Sequence, residues 1–218
     1  VLFRSLHILR NYISQPVTPI SLNLFKVYNN SKNVENLIKQ SNFLKKELPV
    51  RLSHRVENLI KLPYGLIGIP EIKGISELYI ESFEKIVNYG NINTENDVID
   101  FTNLLENIKE NHSGLEFTMA TGIKKIENYN LIDLNVLNNE LDNFFLSRIS
   151  IRTLINQQIN IVENGNGLIK TFNIIDMIYN SISDINYVSN KIYFDEPVVH
   201  FNENQEINIS YIPEHIDR

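Results

Sequence analysis

Residues 141–158, LDNFFLSRISIRTLINQQ, constrain the fold more than any other stretch, because they are apolar on nearly every side. The stretch has no proline or glycine and is longer than a typical strand, so it predicts a helix. A helix that is apolar nearly all round belongs in a protein core. Its apolar positions are Leu141, Phe144, Phe145, Leu146, Ile149, Ile151, Leu154 and Ile155.

Two arginines interrupt this apolar surface. Arg148 and Arg152 lie four residues apart and share a side of the helix with Phe144. A guanidinium keeps its charge inside a protein, and burying one without an anion costs on the order of several kcal/mol. The two arginines therefore require carboxylates, a bound anion or a water-filled cavity. A structural ion pair and a polar pocket inside a helical bundle both meet that requirement, and the sequence leaves the choice open.

Charge and residue content exclude several classes of site. A net charge of −6 over 218 residues offers no basic surface for nucleic acid, and the absence of cysteine excludes disulfides and thiolate metal sites. No apolar run reaches the ~18 residues that span a bilayer, so we expect no membrane insertion. The first ten residues, VLFRSLHILR, fit both the remnant of a transit segment and an amphipathic helix, and the helix is the simpler interpretation.

Hydrophobic periodicity predicts a chain that is mostly helical. Thr94 with Asp97, and Asn173 with Asp176, have the spacing of capping pairs that open a helix. Pro49 predicts either a kink in the long third helix or its division into two helices. The predicted helices cover residues 3–14, 21–28, 33–62, 71–89, 94–129, 133–162 and 173–193.

Two glycines and a histidine stand out within the helix predicted over residues 94–129. Gly114 and Gly122 each cost a helix about 1 kcal/mol relative to alanine, and close packing against a neighbouring helix is the simplest reason for both. His112 lies on the apolar face, where a histidine is more often a hydrogen-bonded core residue than a catalyst. Histidine also changes charge near neutral pH, so a chemical role stays open.

The end of the chain changes from a helical period to a period of two after Tyr193. Residues 197–201 and 207–211 predict two strands, and the polar connection NENQE makes them a hairpin. The GNG at 165–167 is too short for a phosphate loop and predicts a turn. The predicted fold class is mostly α: an antiparallel four-helix-bundle-like domain, then a helix and a β-hairpin that begin an α/β unit.

Four motifs occur in an order and at spacings that resemble one known family. They are FLKKELPVRLSHRVENLIKLP at 43–63, ENHSGLEFTMATGI at 110–123, FFLSRISIRTLINQQ at 144–158 and YIPEH at 211–215. Together they resemble the mitochondrial pyruvate dehydrogenase kinases, and less closely the branched-chain α-ketoacid dehydrogenase kinases. SRISIR and TMA look like the pyruvate branch. The branched-chain branch and a non-catalytic helical interaction module are the alternatives.

The resemblance implies a protein of two domains. Residues 1–165 would form a helical regulatory domain, and residues 166–218 would begin a GHKL-type ATP-binding domain. The family works in the mitochondrial matrix, where it transfers the γ-phosphoryl group of ATP to serines of the dehydrogenase E1 α subunit and inactivates it. Its bundle docks the lipoyl domain of the dihydrolipoyl acetyltransferase (E2) and holds a pocket for pyruvate-like acids. The full-length proteins form homodimers.

The same resemblance assigns roles to individual residues. His112 matches a histidine that supports the catalytic glutamate in its work as general base. Lys109 stands where relatives have arginine, so it keeps the charge but not the planar fork. The allosteric pocket for the effector would be lined by Leu52, Tyr79, Ser82, Lys109, Arg148, Ile151 and Arg152. The lipoyl-docking pocket would be lined by Ile20, Phe25, Tyr28 and Phe43, for which an ordinary core is the alternative.

The family's Mg·ATP machinery follows the YIPEH segment. It consists of a helix with a glutamate and an asparagine, and of two glycine loops that admit the phosphates. We expect this chain, which stops at Arg218, to have no ATP-binding or metal-binding residues and no cofactor of its own. Mg and ATP would belong to the longer parent protein, and this chain alone would phosphorylate nothing.

Overall fold

A computed structural model describes residues 2–29, 33–125, 133–200 and 207–216. Within those ranges the chain is mostly helical, as predicted, and a two-stranded antiparallel sheet follows the main helices. Two short 3-10 segments cover Pro63–Gly68 and Pro213–His215, and the strands are β1 (Lys170–Asn173) and β2 (Asn208–Tyr211). The helices are α1 (Leu2–Ile13), α2 (Leu22–Tyr28), α3 (Val34–Ile60), α4 (Pro70–Val87), α5 (Glu95–Asn111), α6 (Leu115–Lys124), α7 (Leu134–Asn164) and α8 (Ile174–Tyr193).

Polar caps set several of the helix ends. Thr94 and Asp97 form the predicted capping box at the start of α5, in which each side chain accepts from the other's backbone N–H. Asn173 caps α8 as predicted, and its side chain accepts from the N–H of Ile175. Gly165, with a φ of 70°, ends α7 in the left-handed conformation that glycine adopts readily.

Helix α3 lies in the middle of the bundle and contacts α1, α4, α5 and α7. Helix α5 also contacts α7, and α4 contacts α6, so the apolar faces enclose one continuous core. The largest fully buried side chains include Leu44, Leu48, Leu52, Ile72, Ile75, Tyr79, Phe83, Phe101 and Phe144. No helix in the described ranges is both long enough and apolar enough to cross a membrane.

Pro49 does not divide the long third helix. Helix α3 runs without interruption from Val34 to Ile60 around the proline, so the prediction of two helices is wrong. A proline in a helix removes one backbone hydrogen bond. Leu48, Pro49 and Val50 are all buried, and this tertiary packing outweighs the local preference to end the helix.

The single helix predicted over residues 94–129 is also wrong. Helix α5 ends at Asn111, and α6 begins at Leu115 after Gly114, whose φ of 74° lies in the left-handed region. No atom lies within 4 Å of a Cβ built on Gly114, so backbone freedom rather than close packing explains this glycine. At Gly122 the packing explanation is confirmed, because a Cβ there would lie 2.9 Å from Cγ1 of Ile72 on α4. Residues 126–129 of the prediction lie outside the described ranges.

The strand predicted over residues 207–211 is confirmed as β2, but its predicted pairing with residues 197–201 is wrong. Strand β2 pairs antiparallel with β1, with Lys170 opposite Tyr211 and Asn173 opposite Asn208. Residues 197–200 are irregular, and residue 201 and the NENQE connection lie outside the described ranges. All of α8 separates the two paired strands along the chain, and a sequence signal for hairpins detects only neighbouring strands.

The predicted domain boundary coincides with the end of α7 at Gly165. The part of the chain after this boundary still contributes to the core of the bundle, through Leu168, Ile169 and Ile212. The small sheet therefore rests on the helical part, and the division of the chain into two domains stays a prediction.

Candidate functional site

Arg148 is the buried cation around which the site is built. Its side chain is 4% exposed and it forms a bidentate pair with Glu116 in the first turn of α6. Arg148 Nε donates to Glu116 Oε1 at 2.6 Å, and Nη2 donates to Oε2 at 3.0 Å. The interpretation as a structural ion pair is thus confirmed for Arg148, and the anion comes from a different helix.

The other side of Arg148 meets a buried tyrosine. Arg148 lies close enough to the Tyr79 hydroxyl to affect its pKa, but neither Arg148 Nη1 nor Tyr79 Oη has a partner with good hydrogen-bond geometry among the described residues. Burial raises the pKa of Tyr79, and the positive charges of the nearby Arg148 and Arg55 oppose that rise. Unsatisfied buried polar atoms are uncommon and costly. The guanidinium nitrogen of Arg148 and the hydroxyl of Tyr79 could therefore both donate to an additional acceptor.

His112 adjoins the same tyrosine at the junction of α5 and α6. It is 3% exposed, and its ring packs edge-on against Tyr79 with 4.7 Å between centroids. Its Nε2 lies 2.8 Å from Ser82 Oγ, which donates its own proton to the carbonyl of Leu78 at 2.9 Å. This network makes Nε2 the donor and leaves Nδ1 unprotonated. Burial, followed by the charge of Arg148, lowers the pKa of His112 from 6.5 to about 4, so the ring is neutral at physiological pH.

We expect His112 to make stability fall in mild acid. The folded-state pKa of about 4 lies below the unfolded value of 6.5, so the unfolded chain takes up the proton first as the pH drops. The free energy of unfolding is unaffected by His112 protonation above about pH 6.5. It falls progressively towards pH 4, by on the order of 2–3 kcal/mol. Urea unfolding of the wild type and of His112→Gln at several pH values checks this. The wild type should lose more stability than the variant, and parallel pH curves would contradict the prediction.

Both predicted arginines line a cavity of about 540 Å³. Arg148, Arg152 and Glu116 form one side of it, and Glu214 and His215 of the last 3-10 segment form another. The cavity therefore lies where the bundle meets the start of the small sheet. A polar cavity of this size is the second interpretation offered by the sequence, and here it occurs together with the ion pair.

The remaining residues predicted for the allosteric pocket do not line this cavity. Leu52, Tyr79, Ser82 and Ile151 are buried in the core. Lys109 is half-buried in the last turn of α5. The structure thus separates a buried group around Tyr79 and His112 from a cavity lined by the arginines, and Arg148 belongs to both.

Three of the four predicted docking residues meet in a second pocket. Phe25, Tyr28 and Phe43 line it together with other apolar side chains, and its volume of about 20 Å³ holds about one water molecule. Ile20 lies instead in a neighbouring cleft of about 270 Å³, which Phe25 also lines. The small volume means that a bulky ligand would have to displace side chains to enter.

A buried ion pair within the ELPVRL motif was not predicted. Glu47 and Arg51 are one helical turn apart on α3 and are 2.7 Å apart at Oε1 and Nε. Both also bind the connector before α2, because Arg51 Nη2 donates to the carbonyl of Thr18 at 2.6 Å and the Thr18 N–H donates to Glu47 at 3.1 Å. Opposite charges at i and i+4 inside an apolar run were the available signal.

Two amide side chains, Asn29 and Gln157, form a clamp between the predicted docking pocket and the two residues that precede β1, and this clamp was not predicted. Asn29, just after α2, accepts from the N–H of Ile169 at 3.1 Å and donates to its carbonyl at 3.0 Å. Gln157, which lines the docking pocket, accepts from the N–H of Leu168 at 2.7 Å. Gly167 lies between them, where a Cβ would come within 2.5 Å of Asn29 Oδ1.

Comparisons with known proteins identify the family to which the sequence is similar. A sequence profile of the family described as "Mitochondrial branched-chain alpha-ketoacid dehydrogenase kinase" matches residues 19–184. The chain is 28% identical to a mitochondrial pyruvate dehydrogenase (acetyl-transferring) kinase of Arabidopsis thaliana over 91% of its own length and 56% of the relative. It is 29% identical to isozyme 3 of that mitochondrial kinase from Mus musculus over 80% of this chain and 47% of the relative. It is 26% identical to isozyme 1 of that kinase from Homo sapiens, over 80% of this chain and 45% of the relative. The chain thus spans about half the length of these curated relatives.

Proposed function

The chain belongs to the family of mitochondrial pyruvate dehydrogenase and branched-chain α-ketoacid dehydrogenase kinases, and we propose that it is the regulatory and docking part of such a kinase. The parent protein would phosphorylate serines of the E1 α subunit in the mitochondrial matrix and act as a homodimer. The names of the curated relatives support the pyruvate branch, whereas the description of the family profile names the branched-chain enzyme. An assay of the parent protein with the E1 of pyruvate dehydrogenase and with the E1 of the branched-chain α-ketoacid dehydrogenase separates the branches. Phosphorylation of neither would favour a non-catalytic module.

The observation that carries the proposal is the incomplete hydrogen bonding around Arg148. Its Nη1 and the hydroxyl of Tyr79 are buried without an acceptor among the described residues. Arg148 also lines the large cavity, together with a second arginine, Arg152. A small carboxylate such as pyruvate could enter from that cavity and accept from the guanidinium in a charge-assisted pair. We therefore assign the cavity and Arg148 to a pyruvate-like effector.

Pyruvate should bind the wild-type chain and bind Arg148→Ala at least about tenfold more weakly, because hydrogen bonds to a charged group contribute about 1.5–3 kcal/mol. Isothermal titration with sodium pyruvate measures both affinities. Arg10→Ala, which removes an exposed arginine from α1, is the matched control and should keep the wild-type affinity. Equal binding by the wild type and Arg148→Ala, or no binding by either, would reject the effector site.

The second pocket supports docking of the lipoyl domain of E2. Phe25, Tyr28 and Phe43 present an aromatic lining that suits an apolar prosthetic arm. Such an arm would open the pocket by moving the side chains that now fill it.

We expect Phe25→Ala to weaken binding of a lipoylated E2 domain at least about tenfold, because truncating a buried aromatic at the centre of an interface typically costs about 2 kcal/mol or more. Val27→Ala is the matched control, since Val27 is an exposed residue of the same helix that does not line the pocket. Surface plasmon resonance with lipoylated and unlipoylated domains gives the comparison. If Phe25→Ala binds as the wild type does, the pocket is core and not a docking site.

His112 is the residue assigned to support the catalytic glutamate. In the present network its Nε2–H is committed to Ser82, and Nδ1 carries no proton. To donate to a glutamate from Nδ1, the ring would have to change tautomer while Ser82 turned its hydroxyl from Leu78 to Nε2. ATP and Mg²⁺ would bind residues that follow the YIPEH segment, and no cluster in the described ranges is suited to hold a metal ion.

A further inference from the structure

Glu116 and Arg148 form an asymmetric pair. The side chain of Arg148 is 4% exposed, whereas that of Glu116 is 53% exposed. The core therefore fixes the guanidinium in place, but the carboxylate can rotate into solvent without losing buried packing. Arg148 lowers the pKa of Glu116 through their hydrogen bond, so Glu116 carries its charge at neutral pH.

The pair shares one donor with the effector: a carboxylate that accepts from the free Nη1 can complete a bidentate pair only with Nη2, from which Glu116 already accepts. Glu116 accepts from Nε and Nη2 of Arg148, and both residues line the cavity. An effector carboxylate needs a guanidinium edge with two parallel N–H donors for a bidentate pair. Two carboxylates that compete for one guanidinium also repel each other, which disfavours simultaneous binding.

We propose that Glu116 is a tethered competitor of the effector: a pyruvate-like acid binds Arg148 by displacing Glu116, and this displacement releases the first turn of α6 from α7. The inference rests on the proposed effector site. It adds that the affinity of that site is set by the fraction of molecules in which Glu116 has left Arg148.

The structure limits the released segment to the start of α6. Gly114 caps this helix without a side-chain hydrogen bond, so the burial of Leu115 and the ion pair of Glu116 with Arg148 hold the first turn. Farther along, Gly122 packs closely against Ile72 and Lys125 pairs with Glu71, and both contacts fix the helix to α4. The released turn directly follows His112 and Gly114, so effector binding would change the backbone next to His112.

The deciding experiment is isothermal titration of the 218-residue chain with sodium pyruvate. Glu116→Gln should bind at least about tenfold more tightly than the wild type if the pair is closed in about nine molecules of ten. Glu110→Gln is the matched control, because it removes the same charge from an exposed position of α5 that does not line the cavity, and it should bind as the wild type does. A circular dichroism melt of each variant confirms that it is folded.

The outcomes separate this inference from the proposed function. Tighter binding by Glu116→Gln alone supports the competitor. If Arg148→Ala abolishes binding but Glu116→Gln equals or falls below the wild type, the effector site stands and the competitor is rejected. An equal gain in Glu110→Gln also rejects it, since the effect would then be general electrostatics. No binding by any variant overturns both.

Hydrogen exchange gives a readout that a purely structural ion pair would not move. Saturating pyruvate should increase amide exchange of the wild type at residues 118–121 of α6, whose N–H groups donate to the carbonyls of residues 114–117. In Glu116→Gln those amides should exchange quickly before pyruvate is added, with little further change. Protection of these amides by pyruvate in the wild type would contradict the displacement.

Discussion

Replacing Phe144 with alanine should lower the free energy of unfolding by about 3–5 kcal/mol, the range for removing a fully buried aromatic ring. Phe144 is 1% exposed and lies on the face of α7 that packs into the core. Its ring centroid is 6.2 Å from that of Tyr79 and 5.3 Å from that of Phe145, both edge-on. Loss of the ring would leave a cavity behind the site, because backbone elements of the bundle relax only partly.

Urea unfolding followed by circular dichroism measures this effect, since the chain has no tryptophan for fluorescence. Phe117→Ala removes the same ring from a position that is 78% exposed on α6. That control should change the free energy of unfolding by no more than about 0.5 kcal/mol. Similar losses for the two variants would mean that Phe144 is not in a packed core.

The second large effect should come from Glu47→Ala. Breaking a buried ion pair from one side costs about 3–5 kcal/mol, because the remaining charge is left buried and unpaired. Arg51 would keep its bonds to Thr18 and Ser150 but lose its only described carboxylate partner. The double variant Glu47→Ala/Arg51→Met should lose much less stability than the two single variants lose together, since it no longer buries a lone charge.

Chemical unfolding of the four members of this double-mutant cycle gives the coupling free energy directly. Glu35→Ala breaks an ion pair of the same spacing, with Lys39, near the exposed start of the same helix. Its stability should stay close to that of the wild type, because solvent screens exposed pairs. Additive losses at Glu47 and Arg51 would show that the pair is not coupled.

The sequence predicted the burial of Arg148 but not the identity of its anion. Burial followed from a helix that is apolar nearly all round, which is a local property. Glu116 lies on another helix, and nothing in its own surroundings distinguishes it from an exposed glutamate. The partner became visible only when packing brought the two helices together.

The same distinction explains the errors in secondary structure. Caps at Thr94 and Asn173 depend on neighbouring residues and were predicted correctly. Strand β1 has four residues, and its pairing with β2 reaches across all of α8, so no local pattern showed it. The tolerance of Pro49 and the break at Gly114 likewise depend on tertiary packing and on one backbone conformation.

The clamp formed by Asn29 and Gln157 has a mechanical consequence. Asn29 mimics a strand edge for Ile169, and Gln157 holds Leu168 while its other side faces the aromatic pocket. A ligand that displaces Gln157 from the lining of this pocket would break its hydrogen bond to Leu168, two residues before the first strand. The small sheet is thus coupled to the bundle through Leu168 and Ile169. A displacement at the pocket would be transmitted to the sheet, and a displacement of the sheet to the pocket.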